Sequence, residues 1–239
     1  MSSYLVTIKT PTLCRECVFT EPLSKRRGRM PKSLPQSAIR EKLNLRHAYE
    51  WLMLLIAQNF KLTDWMLTLT YDEEHLPPNT FAAQKRVKQF NRQLREHRKA
   101  FGRVYKYIYV TEGRHGDARL HHHIVLNRYP GEAELLHKLW PDGNINWEPV
   151  GKIGCEGLAR YLTKEPAQHG REYVGDRLWT PSRNLDKPIT TTVEVPNNHR
   201  PVPPKEAFDV CTELKENQFG SYFFLGYKLP WGNGKKRRA

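Results

Sequence analysis

Cysteine is scarce in this chain, with four residues in 239. That is too few for the disulfide framework of a small secreted domain, so reduced thiols are expected. Long apolar runs are missing as well. The longest, Trp51-Leu52-Met53-Leu54-Leu55-Ile56-Ala57, has seven residues, against the ~18 of a membrane span. The start, Met1-Ser2-Ser3-Tyr4, shows no basic stretch followed by an apolar one, so no secretory signal and no membrane association are expected. A phosphate-cradling Gly-x-x-x-x-Gly-Lys-Ser/Thr loop is also lacking. Gly151-Lys152-Ile153-Gly154 has neither its spacing nor its hydroxyl, which argues against a fused ATP-driven motor.

Acidic residues are few. Asp and Glu total 25 against 39 Lys and Arg, giving a net charge of +14. Such an excess calls for an anionic partner, most often nucleic acid; the plain alternative is an ordinary basic surface. Hydrophobic residues make up 38%, below the ~45–50% of an average domain. Even so, 6 Trp, 11 Tyr and 9 Phe supply core material. The length suits one domain of about 150 residues with additions better than two full domains.

Residues 1–35 read as an irregular arm, broken by four prolines and carrying the basic run Lys25-Arg26-Arg27-Gly28-Arg29, with one short strand at 4–8. Three- and four-residue apolar steps predict a helix over 37–60. Trp65-Met66-Leu67-Thr68-Leu69-Thr70-Tyr71 reads as a strand. A basic helix follows at about 81–99, with Lys85, Arg86, Arg92 and Arg95 opposite an apolar stripe of Val87, Phe90 and Leu94. Strands at 104–112 and 120–127 flank a turn containing Gly116-Asp117 and form a hairpin. A helix at 132–139, a strand at 144–150 and a helix at 155–164 complete the central part. Six prolines break up 170–205, 219–227 suits a last strand, and Lys235-Lys236-Arg237-Arg238 is a basic tail. The boundaries drawn are an arm and helix at 1–60, a core at 61–170 and an extension at 171–239. The fold class is α+β: an antiparallel sheet with helices on one face.

The hairpin carries Arg119-Leu120-His121-His122-His123-Ile124. Side chains alternate along a strand, so His121 and His123 share a face and His122 takes the other. Glu112 on the preceding strand falls opposite 120–122. Two imidazoles and a carboxylate make a facial ligand set with open positions. Nitrogen and oxygen donors suit Mn²⁺ or Mg²⁺, and zinc is also compatible. The alternative is a histidine run on an exposed strand. In Tyr161-Leu162-Thr163-Lys164 the first and last residues are three apart, so a helix projects them together. An ammonium there would favour a phenolate and a charged phosphorus transition state. The alternative is a tyrosine packed on the sheet beside a solvated lysine.

In order, the Leu67–Tyr71 strand, the His121-His122-His123 strand and the Tyr161-x-x-Lys164 helix resemble the rolling-circle replication initiators of the HUH endonuclease superfamily. The resemblance covers residues 62–165. It implies a central five-stranded antiparallel sheet with flanking helices, and metal-dependent nicking and joining of single-stranded DNA through a 5′-phosphotyrosine. It makes His121 and His123 metal ligands, Glu112 the third ligand, Tyr161 the nucleophile and Lys164 its helper. The single tyrosine places the chain with the single-tyrosine type of bacterial phages and plasmids, hence in the cytoplasm of the host cell. Expected partners are single-stranded DNA at a replication origin and a host helicase and DNA polymerase. The family's apolar middle residue is replaced by His122, and Tyr173 is a candidate second tyrosine. Lys25, Arg26, Arg27, Lys85, Arg86, Arg92 and Arg95 are the expected phosphate contacts. Tyr105, Tyr107 and Tyr109 alternate on one face and either stack on bases or pack under a helix.

Other readings remain at this point: a single-tyrosine transposase or mobilisation relaxase, a nucleic-acid-binding protein without catalysis, or a structural zinc protein using the histidines and Cys14-Arg15-Glu16-Cys17. The cysteine pair is half a zinc site, and Cys155 and Cys211 are too distant in sequence to complete it. Asp117 is the carboxylate to consider should Glu112 bind no metal.

Overall fold

A computed structural model of the chain describes residues 2–20, 38–113, 116, 118–164, 168, 178–217 and 220–230. In chain order the elements are β1 (Ser3–Lys9), β2 (Leu13–Thr20), α1 (Ala38–Asn59), β3 (Trp65–Thr70), α2 (Thr80–Ala100), β4 (Tyr107–Glu112), β5 (His121–Leu126), α3 (Ala133–Leu139), β6 (Ile145–Pro149), α4 (Val150–Leu162), β7 (Thr180–Pro181), β8 (Ile189–Val195), β9 (Phe208–Asn217) and β10 (Gly220–Lys228). The class is α+β. The elements form two compact units, one of Glu41–Asp186 and one of Met1–Arg40 with Lys187–Ala239.

The Glu41–Asp186 unit is built on a five-stranded sheet in the order β6-β3-β5-β4-β7, and its pairings are antiparallel. The two-residue alternation predicted for β3 holds. Trp65, Leu67 and Leu69 enter one core with Tyr107 and Tyr109 of β4 and with Ile124 and Leu126 of β5. Ala83, Val87, Phe90 and Leu94 of α2, at helical three- and four-residue steps, pack on that face together with Leu136 of α3. Asn79 starts α2 by accepting the Ala82 N–H, and His97, Arg98 and Lys99 complement its C-terminal carbonyls. The tyrosines at 105, 107 and 109 are thus sheet residues under a helix. The expectation of helices on one face needs correction, because α4 lies over the other face, where Tyr161 meets His123.

Under α2 lies a buried ion pair that the pattern of the sequence did not show. Arg98 is fully enclosed; its guanidinium binds Glu132 through two hydrogen bonds of 3.1 and 2.5 Å and reaches Asn127 at 3.0 Å. The rings of Tyr105 and Tyr129 each lie 4.8 Å from it. Burial of this charge is tolerable only because every direction is matched by an acceptor or a π face.

The Met1–Arg40 and Lys187–Ala239 unit is a second five-stranded antiparallel sheet, ordered β8-β1-β2-β10-β9. Residues 2–20, read as an arm with one strand, form two. The Pro-rich stretch holds β8, and β9 was not anticipated. Physically, β8 is held by β1, with Val195 opposite Ser3, and β10 by β2, with Tyr222 opposite Phe19, pairings that no local pattern reports; β9 is an edge strand held by β10. The runs Lys25–Arg29 and Lys235–Arg238 lie outside the described residues.

Arg98→Ala is expected to destabilise the protein by about 3–5 kcal/mol, because the buried Glu132 loses its bidentate partner and keeps only the Arg103 guanidinium at 3.7 Å. Combining Arg98→Met with Glu132→Gln is expected to cost less than Arg98→Ala alone. Urea unfolding of the variants measures both.

Candidate metal centre and the tyrosine beside it

β5 sits between β3 and β4, so its histidines are held by two ladders. On β3, Thr70 stands opposite His121 and Thr68 opposite His123; on β4, Glu112 stands opposite His121. Directly opposed residues share a face. Glu112, His121 and His123 therefore project together, at the register the sequence suggested. The next residue, Gly113, has φ of +83°, and a Cβ there would lie 2.6 Å from the Arg119 carbonyl oxygen. Only glycine lets the mouth of the hairpin close at this point.

His121 Nε2 and His123 Nε2 are 3.0 Å apart, and Glu112 Oε2 lies 3.5 and 3.7 Å from them. One donor atom from each residue falls within 4.8 Å of the others. His121 Nδ1 donates to the Arg119 carbonyl at 2.8 Å, and His123 Nδ1 meets the Thr68 hydroxyl at 3.1 Å. With a proton on each Nδ1, the Nε2 lone pairs turn inward, the arrangement in which imidazoles ligate metals. Two lone pairs at this separation repel unless a proton or a cation lies between them. Glu112 Oε1 is buried and accepts no hydrogen bond. That orphaned oxygen and the paired nitrogens fit a divalent cation: the group can bind a metal ion. Nitrogen and oxygen donors without sulfur suit Mn²⁺ or Mg²⁺, and Zn²⁺ as well.

Protonation follows from the same contacts. Burial works against a charged Glu112, yet the His121 and His123 imidazoles beside it and the Lys164 ammonium outweigh it, holding the carboxyl well below its usual range. His121 is opposed by burial, but its bonds to Glu112 and the Arg119 carbonyl raise it. In His123 burial prevails over Glu112 and the pKa falls.

His122 points the other way. Its ring nitrogens lie 2.7 Å from the Tyr71 hydroxyl and 2.9 Å from the Thr111 hydroxyl, and Trp140 packs edge-on against it. Burial first, then His121 and His123, depress its pKa to about 3. It is a neutral core residue, bound into the sheet by two hydroxyls.

α4 brings Tyr161 to the triad, its ring edge-on to His123 with centroids 4.8 Å apart. Lys164 was expected within that helix but lies beyond Thr163, which caps it. Its ammonium is 3.1 Å from Glu112 Oε2 and 4.5 Å from the centre of the Tyr161 ring. Burial raises the Tyr161 hydroxyl, Lys164 opposes this, and Glu112 and Glu148 add to the rise. Within α4, Gly154 has φ of +77°, so a kink separates the first turn from the segment bearing Tyr161.

The other residues singled out are distributed differently. Lys85, Arg92 and Arg95 are exposed on α2, whose core face packs on the reverse of the sheet from the triad. Arg86 pairs with Asp142, and Arg95 donates to the Tyr107 hydroxyl at 3.0 Å. Lys25, Arg26, Arg27, Asp117 and Tyr173 lie outside the described residues. Cys14 and Cys17 are on β2, and three residues apart on a strand they point to opposite faces. They cannot grip one zinc ion. Among the described residues, Glu112, His121 and His123 are the one group of three or more such side chains arranged for a metal. Thr68 was not singled out as an orienting residue; its signal is its place opposite His123.

Residues 64–166 match the replication-associated protein ORF2 family. The matched span contains Glu112, His121, His123, Tyr161 and Lys164 and less than half of the chain. No curated protein and no solved structure matches the chain. The family match supports a role in initiating replication, with DNA as the partner. No helix of the described residues is long and apolar enough to cross a membrane.

In calorimetric titration with Mn²⁺, His121→Ala and His123→Ala are expected to lose metal binding, and Glu112→Gln to weaken it by about tenfold or more. His122→Ala is expected to leave metal affinity within a few-fold. It should lower stability by about 1–3 kcal/mol, because hydrogen bonds to the Tyr71 and Thr111 hydroxyls are lost. Loss of metal binding in His122→Ala would mean that the faces are assigned wrongly.

Proposed function

We propose that the chain initiates rolling-circle replication by nicking and rejoining single-stranded DNA at an origin, in the manner of single-tyrosine HUH endonucleases of bacterial phages and plasmids. The observation that carries this reading is the delivery of Tyr161, far along the chain, against His123, with Lys164 joining the tyrosine ring to Glu112. A tyrosine packed only for core stability has no need of a carboxylate and two imidazoles beside it. The replication-family match over the same residues favours this reading over a transposase or a relaxase.

In this proposal Glu112, His121 and His123 hold Mn²⁺ or Mg²⁺, which when bound polarises the scissile phosphate. Tyr161 Oη forms a bond to phosphorus as its proton departs. The bond from phosphorus to the 3′ oxygen breaks, and that oxygen takes up a proton. The 5′ side remains on the protein as phosphotyrosine and the free 3′-hydroxyl is a primer, which implies a host polymerase and a host helicase in the bacterial cytoplasm. Attack by a 3′-hydroxyl on the phosphotyrosine reverses the step and joins a strand. Burial alone leaves Tyr161 a weak nucleophile, so the Lys164 charge is the local means of favouring phenolate and of stabilising charge on the phosphate oxygens.

Covalent capture tests the reading. End-labelled single strands tiling the genetic element that encodes the protein are mixed with it in Mn²⁺ or in EDTA. An SDS-resistant adduct is expected only with metal and wild-type Tyr161. Tyr161→Phe should abolish it while DNA affinity stays within a few-fold, and Lys164→Ala should slow its formation by about 100-fold. An adduct that persists in Tyr161→Phe, or none with any strand, refutes the assignment.

A further inference from the structure

The reverse face of the same sheet carries a second concavity. It is a groove of about 860 Å³ between the C-terminal half of α2 and the segment that follows β7. Lys88, Arg95, Lys99 and Arg103 line one side and Arg183 the other, and no carboxylate is among its lining residues. All belong to the Glu41–Asp186 unit. Lys88, Arg92, Arg95 and Lys99 follow one another at steps of four, three and four, one stripe along the helix. All four are exposed, as are Arg103 and Arg183.

Few of these charges are consumed by the fold: Arg95 donates to the Tyr107 hydroxyl but meets no carboxylate. Among the described residues no carboxylate pairs with Lys88, Arg92, Lys99 or Arg183. Arg103 lies 3.7 Å from Glu132, but that carboxylate is already bound bidentately by the buried Arg98. The tyrosines at 105, 107 and 109 form the floor and are buried almost completely. They close the bottom of the groove without offering open ring faces to bases, so the recognition available is of phosphate and not of sequence. From Lys88 to Lys99 the stripe runs eleven residues, about 16 Å along the helix axis. At ~3.4 Å per nucleotide of a stacked strand, that spans about five phosphates.

We propose that this groove is a track for the backbone of single-stranded DNA, separate from the metal centre and on the opposite face of the sheet. A flexible single strand can follow a concavity beneath a helix, whereas a duplex is too wide and stiff to enter it. The track binds a strand whatever its sequence and holds DNA away from the phosphate being cut. It rests on charge and shape, and stands whether or not Tyr161 is a nucleophile.

The test is fluorescence anisotropy with a labelled oligothymidylate of about 20 nucleotides, titrated over a range of salt concentrations. The triple variant Lys88→Gln, Arg95→Gln, Lys99→Gln is expected to bind at least about tenfold more weakly. The slope of log affinity against log salt should fall by about 2, since each phosphate contact on a single strand contributes ~0.7. Arg183→Gln, on the other wall, should shift both quantities in the same direction. A control with the same charge change elsewhere, Lys61→Gln, Lys187→Gln, Lys205→Gln, should leave the slope within error of wild type. Mn²⁺ affinity should be unchanged in the groove variants, and the double variant Lys88→Gln, Lys99→Gln, which leaves the Arg95–Tyr107 hydrogen bond intact, should weaken binding at an unchanged melting temperature, which separates loss of the track from loss of fold. Tyr161→Phe should bind the probe as wild type does, so failure of the nucleophile assignment leaves this result intact. Wild-type affinity and slope in the triple variant, no binding of the probe by wild type, or a defect confined to a duplex probe would each overturn the track.

Discussion

Side chains of a β-strand alternate faces, and β5 turns this constraint into chemistry. His121 and His123 go to one side, His122, Ile124 and Leu126 to the other. A slip of one residue would turn the two ligands into the core under α2 and bring His122 to the face of the metal centre. The register is therefore over-determined. Ladders on both flanks, the Tyr71 and Thr111 hydroxyls on His122, and the close approach of Gly113 to the Arg119 carbonyl agree on the same alignment. The separation of the candidate ligands follows from the pleat and needs no special loop. Sites supported by strands in this way are held more firmly than sites on loops.

The same alternation gives the sheet two chemically different surfaces. On β4, Glu112 belongs to the triad side, whereas Tyr107 and Tyr109 belong to the core under α2. One side gathers a carboxylate, two imidazoles, an ammonium and a phenol within contact distance. The other side buries aromatic rings and one guanidinium, and carries its remaining cations outward along α2. Charge of opposite character is thus kept apart by a single layer of backbone. Glu112 is neutralised locally by His121, His123 and Lys164, while on the reverse face Lys88, Arg92 and Lys99 meet no carboxylate among the described residues.

Much of this was legible in the chain because it is local. The alternation of β3, the apolar stripe of α2, the hairpin and the placement of Glu112 opposite His121 follow from periods of 2 and 3.6 residues. The proximity of Tyr161 to the histidines was reached through resemblance, since nothing local says where a helix docks. The burial of Arg98 with Glu132 was not legible; both residue types are normally exposed, and their meeting depends on tertiary packing. Nor was the second sheet. In β9, Phe208, Val210 and Leu214 do alternate, but they are about half exposed. The alternation there signals a strand without announcing its partner. β2 pairs with β10, joined through residues from opposite ends of the chain.

Gly154 places the candidate nucleophile at the end of a lever. From the kink to Tyr161 is seven residues, about 10 Å of helix. A swing of about 6° at that pivot moves the tyrosine by about 1 Å, a displacement that can cost on the order of a hundredfold in rate. What braces the arm is the buried row Leu158, Ala159 and Leu162, none more than 1% exposed. In mechanical terms these apolar side chains are the bearing. Their packing sets the aim of the Tyr161 hydroxyl.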